Sequence, residues 1–376
     1  MNNMNAGLNM STSQRKIEHL NLCSSSPVES RTKGTGLEDV MLVHRALPEF
    51  DVEDVDLHTD FLGKRMDAPF FIASITGGHP DTKPINAALA QAAEEMGIGI
   101  GVGSQRAAIE DPAQEGSFSI MRDVAPDAFI YGNIGAAQIK EYGLEGIERL
   151  VEMLDADAMA IHLNFLQEAI QPEGDAGAKG ALEAIREICS LDLPIIVKET
   201  GAGISHEDAL LLKKAGVSAI DVGGVGGTSW SGVEVYRARD RKDVMSEMLG
   251  ELFWDFGIPT AASVVECNVS LPVIATGGIR TGMDIAKSIA IGASVASAAL
   301  PFVAPALESK EMVLKRLKLM MNELKVAMFL CGCQDMHRLH ITPTVITGWT
   351  REYLELRGFN VKEFALRSNR SELQIV

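Results

Sequence analysis

The sequence is poor in cysteine, and its cysteines form no pattern. Five cysteines are scattered over 376 residues, an odd number that fits a reducing cytoplasm better than a framework of disulfide bonds. Cys331 and Cys333 are close together, but no nearby partners complete a zinc site. We therefore expect a cytoplasmic protein and not a disulfide-stabilised secreted one.

Positive charge is also scarce. Lys and Arg number 34 against 51 Asp and Glu, so the formal net charge is -17 at pH 7. No run of basic residues offsets this charge, which argues against nucleic acids and anionic membranes as partners. An anionic small molecule stays open as a partner, because a few Arg and Lys in a cleft act at short range.

We expect neither a signal sequence nor a membrane span. Residues 1–13 are polar and rich in Asn, Ser and Thr, and we predict that they form a disordered tail. Residues 288–307 carry no charge, but they are rich in Ala and Ser and contain Pro301 and Pro305. We expect the end of a buried helix followed by a barrel strand there.

Short apolar runs alternate with longer stretches of helical periodicity from Pro69 onward. This alternation predicts repeated βα units and a parallel sheet. An open doubly wound sheet would show the same pattern, but eight units favour closure into a (β/α)8 barrel. The predicted strands are Phe70–Ser74, Gly99–Gly103, Ala128–Ile134, Ala158–Asn164, Ile195–Glu199, Ala219–Val222, Val273–Thr276 and Ser294–Ala298.

The remaining segments complete the predicted organisation. We divide the chain into the tail at 1–13, an N-terminal arm at 14–68, the barrel at 69–335 and a C-terminal helical extension at 336–376. The segment Gly223–Gly257 is polar at its start, and we predict a loop or lid over the carboxyl ends of the strands. The predicted helices are Pro84–Met96, Gln138–Leu154, Ala178–Cys189, His206–Ala215, Met283–Ile291, Met312–Cys331 and Thr350–Arg357.

Polar residues end most of the predicted strands, where the catalytic residues of such barrels lie. His162, Asn164, Gln167 and Glu168 form one such group. One carboxylate with amides and waters suits Mg²⁺, although a hydrogen-bonded polar rim is an equally good interpretation. Lys198 should point into the barrel mouth, towards either the N1–C2 carbonyl region of a flavin or a carboxylate partner in Glu199 or Asp221.

Several segments are candidates for binding phosphate. Gly277 and Gly278 precede a helix after the seventh strand, which fits either the usual phosphate site of such barrels or an ordinary tight turn. Arg15, Lys16 and His19 could clamp a diphosphate or lie on a solvated surface helix. Arg106 ends a strand and is the stronger candidate for binding an anion.

The ordered set of these motifs closely resembles type 2 isopentenyl diphosphate isomerases over residues 15 to about 300. One departure is Gly223, where many members of that family carry Ser. The motifs are Arg15-Lys16-x-x-His19, Ser74-Ile75-Thr76-Gly77-Gly78, Gly103-Ser104-Gln105-Arg106, Gly132-Asn133, His162-x-Asn164-x-x-Gln167-Glu168, Val197-Lys198-Glu199, Gly226-Gly227-Thr228-Ser229-Trp230 and Thr276-Gly277-Gly278-Ile279-Arg280.

The resemblance implies an FMN enzyme that interconverts isopentenyl and dimethylallyl diphosphate. It implies FMN in its reduced form acting as an acid and base, Mg²⁺ on the diphosphate, NAD(P)H or another reductant, and a homo-oligomer, either tetramer or octamer. It marks Gln167, Glu168 and His162 as catalytic candidates, with Glu168 as the metal ligand. Substrate contacts would come from Arg15, Lys16, His19, Ser104, Gln105, Arg106, Asn164 and Gln167. Cofactor contacts would come from Ser74, Ile75, Thr76, Ser104, Asn133, Lys198, Thr228, Gly277, Gly278, Ile279, Ala299 and Leu300.

Two other functions fit a flavin barrel. An FMN-dependent 2-hydroxy-acid oxidase needs a His base late in the barrel, yet Gly223–Gly227 contains no His. A flavin-binding sensor without catalysis would need neither the Gln167–Glu168 pair nor the basic residues of the N-terminal arm.

Overall fold

The chain folds around a closed barrel of eight parallel strands. The computed structural model describes residues 12–171, 174 and 176–367, without the side chains of residues 12–15. The barrel strands are β4 (Phe70–Ile72), β5 (Gly99–Gly101), β6 (Ile130–Gly135), β7 (Ala158–Leu163), β8 (Ile195–Glu199), β9 (Ala219–Asp221), β10 (Val273–Ala275) and β11 (Val295–Ala298). They pair in the order β10-β11-β4-β5-β6-β7-β8-β9 and close, which confirms the predicted (β/α)8 fold.

Helices surround the barrel and follow its strands. Every strand predicted from an apolar run is present, and His206–Ala215 is a helix over the predicted span. The helices before the sixth barrel strand are α1 (Thr12–Ser25), α2 (Lys83–Glu95), α3 (Arg106–Glu110), α4 (Gly116–Val124), α5 (Ala136–Leu154), α6 (Phe165–Ile170), α7 (Ala181–Ile188) and α8 (His206–Ala215). The later helices are α9 (Trp230–Arg241), α10 (Val244–Leu252), α11 (Thr260–Glu266), α12 (Gly282–Ala290), α13 (Leu300–Glu308), α14 (Lys310–Leu330), α15 (Met336–His340), α16 (Gly348–Leu356) and α17 (Lys362–Leu366).

The insertion after β9 is not the loop that its polar start suggests. It forms the two helices α9 and α10, which pack against each other. Ser229 begins α9, because its hydroxyl accepts a hydrogen bond from the Gly232 N–H at 3.0 Å. Asp243 caps α10 in the same way. Most of α9 is buried, including Val233, Val235 and Arg237, so this segment is part of the packed structure.

A short sheet joins the arm to the C-terminal extension. β1 (Val40–Leu42) pairs antiparallel with β12 (Thr344–Ile346). An ion pair attaches the extension to the helices around the barrel, since the partly exposed Arg357, directly after α16, donates to the fully buried Glu266 of α11. The predicted tail at 1–13 lies mostly outside the described residues, and the domain division stays a prediction. No helix in the described ranges has both the length and the apolar character of a membrane span.

Aromatic residues fill the amino-terminal end of the barrel. The hairpin of β2 (Thr59–Phe61) and β3 (Lys64–Met66) contributes Phe61, whose ring lies 5.2 Å from that of Phe71 and 5.9 Å from that of Phe129. Tyr131 lies next to Phe71, with ring centroids 5.8 Å apart. These edge-to-face contacts close the barrel floor against water.

Gly99 makes room for this aromatic cluster. A Cβ atom built on Gly99 would overlap the ring of Phe71, which is completely buried. We expect Gly99→Ala to lower the free energy of unfolding by about 1–3 kcal/mol, because an extra carbon must be forced into a filled core. Chemical denaturation measures this loss, with Gly116→Ala as the matched control, since a Cβ there meets only the end of Lys83. Equal stability of the two variants would contradict the steric argument.

Candidate active site

A cavity of about 270 Å³ opens at the carboxyl ends of the barrel strands. Most of the residues predicted from sequence converge on it, although they come from nine different segments of the chain. Those that line the cavity are Lys16, His19, Ser74, Ile75, Ser104, Arg106, Asn133, His162, Asn164, Gln167, Glu168, Lys198, Thr228, Gly277, Gly278, Ala299 and Leu300.

The structure does not bring three of the predicted residues to the cavity wall. Thr76 and Ile279 are buried beside it, and the side chain of Arg15 lies outside the described residues. Gln105 is completely buried and faces away. Its amide donates to the Leu150 carbonyl at 2.9 Å and accepts from the Asn133 N–H at 2.9 Å. Gln105 therefore braces strand β6 against α5, and we infer that it acts only through Asn133.

Asn133 determines which nitrogen of His162 carries a hydrogen. The Asn133 amide nitrogen donates to the Val102 carbonyl at 3.0 Å, which turns Oδ1 towards His162. His162 Nδ1 then donates to this oxygen at 2.9 Å, so that Nε2 is left as an acceptor. Burial, followed by the charges of Lys198 and Lys16, lowers the pKa of His162 to about 3. His162 is therefore neutral at physiological pH and accepts a hydrogen bond in the cavity.

Two amides hold the carboxylate of Glu168 from both sides. Asn164 donates to Oε1 at 2.8 Å and Gln171 donates to Oε2 at 2.7 Å. Over the described part of the chain, no group of three or more His, Cys, Asp or Glu could form a metal cage. A single oriented carboxylate still fits Mg²⁺, which usually keeps waters and takes its other oxygens from a substrate phosphate.

Glu234 in α9 is a functional candidate that the sequence analysis missed. It is 1% exposed, and its Oε1 accepts a hydrogen bond from Gln167 at 2.9 Å. His19 Nε2 lies 3.4 Å from the same oxygen, and Arg237 pairs with the other oxygen. Although burial opposes ionisation, the partners His19, Arg237 and Gln167 lower the pKa of Glu234. Glu234 is thus a charged group that orients Gln167 by accepting a hydrogen bond from its amide.

Helix α1 covers one side of the cavity. Lys16 and His19 face the cavity, and the His19 ring meets the edge of Trp230 at a centroid distance of 5.2 Å. Glu18, on the same helix, accepts a hydrogen bond from Arg237 at 2.9 Å. The arm and the insertion after β9 are therefore joined directly over the barrel mouth.

Cations surround the cavity despite the acidic surface of the protein. Lys16, Arg106, Lys198 and Arg280 line it, against the carboxylates of Glu168 and Glu199. The Arg106 guanidinium is held by Glu110 at 2.6 Å, one turn along α3. At such short range these charges outweigh the distant negative surface, so the cavity can accept an anion.

Two glycine-rich loops form the opposite wall. Gly227 packs on Gly278 and Gly277 packs on Gly224, so closely that a Cβ atom at Gly227 or at Gly277 would collide with backbone atoms of the other loop. The N–H groups of Gly277 and Gly278 have no hydrogen-bond acceptor among the described residues. The start of α13 at Leu300 faces the same space. Free N–H groups and a helix start together suit a phosphate.

Polar atoms without a partner mark the rest of the cavity wall. The hydroxyls of Ser74 and Thr276 are buried and make no hydrogen bond with the part of the chain that is described. Such groups are costly unless they are satisfied by a ligand or water. We call Gly277, Gly278 and the start of α13 the phosphate cradle. Together with this cradle and Lys198, the two hydroxyls fit a polar ring system that carries a phosphate tail, such as FMN.

Comparison with known proteins identifies the family. The chain is 70% identical over 359 residues to the isopentenyl-diphosphate delta-isomerase of Methanosarcina acetivorans, covering 95% of this chain and 98% of that one. The chain belongs to the isopentenyl-diphosphate delta-isomerase family. It is therefore an isomerase. The isopentenyl-diphosphate delta-isomerase of Archaeoglobus fulgidus is 56% identical over 350 residues, covering 93% of this chain and all of its own.

The isopentenyl-diphosphate delta-isomerase family shares its fold with flavin oxidases. The family model described as FMN-dependent dehydrogenase matches residues 10–123 and 151–347, so the chain belongs to that larger family as well. Two solved structures of mandelate oxidase are similar, one with (S)-2-phenylpropionate and one with a monooxide FMN adduct. Their TM-scores are 0.61 and 0.58 at 20% and 19% identity, over 88% and 87% of this chain and 94% and 95% of theirs. This likeness shows the barrel fold alone.

Proposed function

We propose that this isomerase interconverts isopentenyl and dimethylallyl diphosphate with bound, reduced FMN and with Mg²⁺ on the diphosphate. The observation that carries the proposal is the meeting, in one cavity, of a phosphate cradle, a ring of cations and the oriented carboxylate of Glu168. Simple storage of a flavin would need the cradle but not Glu168 and its two amides.

The cradle and the strand ends would hold FMN. Its phosphate would lie against Gly277, Gly278 and the start of α13, where N–H groups are available. Ser74, Asn133 and Thr228 line the cavity and would contact its ring and sugar chain, and Lys198 supplies a positive charge beside it. When bound in its reduced form, FMN supplies an acid-base group for moving a proton on the substrate.

The opposite side of the cavity would bind the diphosphate. Lys16 and Arg106 supply charge, and Glu168 would bind Mg²⁺ that bridges to the phosphate oxygens. His162 offers Nε2 as an acceptor and stays neutral, so it can orient the substrate or a metal-bound water without competing for a proton. Gln167, fixed by Glu234, would face the reacting carbons.

Isomerisation of this alkene passes positive charge through a tertiary carbon, which water would trap. The cover made by α1 and α9, with His19 packed on Trp230, would shield the barrel mouth from water once substrate is bound. The arm and the insertion would therefore act together as the lid.

The test is turnover of isopentenyl diphosphate by purified protein with FMN, Mg²⁺ and a reductant such as NAD(P)H, beside a sample kept oxidised. We expect dimethylallyl diphosphate only in the reduced sample. No product from fully reduced, bound FMN would overturn the proposal. Oxidation of a 2-hydroxy acid would then identify an oxidase, and bound FMN without either activity would identify a sensor.

We further propose a cytoplasmic homo-oligomer, either a tetramer or an octamer. The cytoplasmic location is supported by the odd, unpaired cysteines, all five of which are free thiols. Light scattering of the purified protein would measure the oligomeric state directly.

A further inference from the structure

A polar layer lies inside the barrel, one step below the cavity. Tyr131, Asp221 and Ser297 each precede by two residues a position at the cavity level, namely Asn133, Gly223 and Ala299. Tyr131 belongs to the apolar cluster inside the barrel, and Asp221 and Ser297 follow by two residues the cluster members Ala219 and Val295 on their own strands. Because residues two apart on a strand share a face, these three side chains point into the barrel. Each is at most 1% exposed.

This polar layer is not satisfied by ordinary hydrogen bonds. Both carboxylate oxygens of Asp221, the Tyr131 hydroxyl and the Ser297 hydroxyl make no well-formed hydrogen bond within the described ranges. Tyr131 packs below on the aromatic floor through Phe71. A carboxylate in this position needs a compensating charge, because a buried ion without one is very costly.

Lys198 is the cation placed to supply that charge. Lys198 and Asp221 are register partners on the neighbouring strands β8 and β9, so their side chains share the inner face of the barrel. Burial raises the pKa of Asp221, and the Lys198 charge opposes this, followed by weaker contributions from the Thr276 hydroxyl and the Gly223 N–H. The other nearby carboxylate is already satisfied, because Glu199 Oε2 accepts hydrogen bonds from the N–H groups of Thr200, Gly201 and Ala202.

We propose that Asp221 is the buried counter-ion of Lys198 and a positioning residue for the cofactor. Its carboxylate partly offsets the Lys198 charge at the cavity wall and thereby lowers the reduction potential of bound FMN. The second half of this proposal rests on the proposed function, since it needs FMN in the cavity.

Three other titratable groups face the pair of Lys198 and Asp221, and burial shifts the pKa of each. Burial lowers the pKa of His162 to about 3, so it stays neutral. Burial, followed by the Asp221 charge, raises the pKa of Tyr131, which keeps it neutral as well. Burial raises the pKa of Glu199 to about 7. Above about pH 8 these three groups no longer change their protonation, so a pH effect there reports on the pair of Asp221 and Lys198.

The first experiment measures the midpoint potential of bound FMN in Asp221→Asn. We expect an upward shift at neutral pH, because a negative charge is removed close to the place where reduced FMN gathers negative charge. Glu266→Gln is the matched control, since Glu266 is an equally buried carboxylate that pairs with Arg357 on the outer side of the barrel. An unchanged potential in Asp221→Asn, as in the control, would overturn the role of Asp221 at the cofactor.

The second experiment needs no FMN and measures unfolding of the apoprotein between about pH 8 and pH 10. In Asp221→Asn, Lys198 stays buried without its counter-ion, so the folded state disfavours the charged form of Lys198 more than the unfolded state does. The unfolded state then binds more protons, and the stability of this variant should rise with pH relative to the parent protein. Parallel pH profiles of variant and parent would refute the ion pair.

The double variant Asp221→Asn with Lys198→Met completes the design. It removes both charges, so we expect it to lose the pH dependence and to be more stable than Asp221→Asn alone. If Asp221→Asn does not fold, the double variant should still fold, and its failure would refute the pairing. Absence of FMN from the parent protein would contradict the proposed function instead, while the apoprotein result would still decide the pairing.

Discussion

Replacement of Glu168 by Gln is expected to abolish Mg²⁺-dependent turnover while FMN stays bound. The amide keeps the size of the side chain but removes the carboxylate charge at the place where Mg²⁺ would bind. Asn164 and Gln171, which both donate to Glu168, would also face an altered partner. We expect turnover to fall by about 100-fold or more, since even partners of metal ligands change affinity or activity by about 10–100-fold.

Three measurements would check this result. Initial rates against Mg²⁺ concentration report the metal site, the flavin absorbance of the purified variant reports FMN, and denaturation reports folding. Glu95→Gln is the matched control, because Glu95 is an exposed carboxylate on α2 that pairs with Lys310 and Lys318. Loss of the flavin from the Glu168 variant would show that its role has been assigned wrongly.

Replacement of Arg237 by Met should have the largest effect on stability. Arg237 is 1% exposed and pairs with Glu234 and with Glu18. Methionine fills much of the volume but leaves the buried Glu234 charge with only His19 and Gln167 beside it. We expect a loss of about 3–5 kcal/mol in the free energy of unfolding at neutral pH, the usual cost of breaking a buried ion pair from one side.

The pH dependence of this loss has a definite sign. In the parent protein the pKa of Glu234 is lowered, so its contribution to stability is present above the unfolded pKa of about 4.3 and disappears as the pH falls through the folded value. In the Met variant this contribution is missing, so the two proteins should converge in stability below about pH 4. A constant difference down to acidic pH would contradict an electrostatic cause.

The double variant Arg237→Met with Glu234→Gln separates charge from packing. It leaves no buried carboxylate in need of a partner, so much of the stability should return. Turnover should stay low, because Gln167 still lacks the charged group that orients it. Recovery of both stability and turnover would show that Glu234 has no part in orienting Gln167.

Local patterns in the sequence were sufficient to predict the barrel and the strand ends that surround the cavity. Apolar runs of strand length, separated by helical periodicity, report burial on both faces of a parallel sheet. Because the carboxyl ends of parallel strands meet on one side of the barrel, Asn133, His162 and Lys198 had to be neighbours there. Their convergence on one cavity follows from the sequence through this rule.

The neighbours Gln105 and Arg106 show where such reasoning stops. Both follow the second barrel strand and both are polar, yet Arg106 lines the cavity while Gln105 is completely buried against α5. Which of two adjacent side chains turns inward after a strand ends depends on the loop backbone. No periodic pattern describes a loop, so the pattern could not separate them.

The sequence by itself determined the fold class and the residue types at the carboxyl ends of the strands, because both depend on periodicity along a single segment. Only the tertiary structure decided that Glu234 and Arg237 of α9 meet Glu18 and His19 of α1, and that Lys198 has Asp221 as its register partner on the next strand. These contacts join residues that are distant in sequence or on neighbouring strands. A buried charge is recognised only when the partner that compensates it is known, and that partner is a property of the packed molecule.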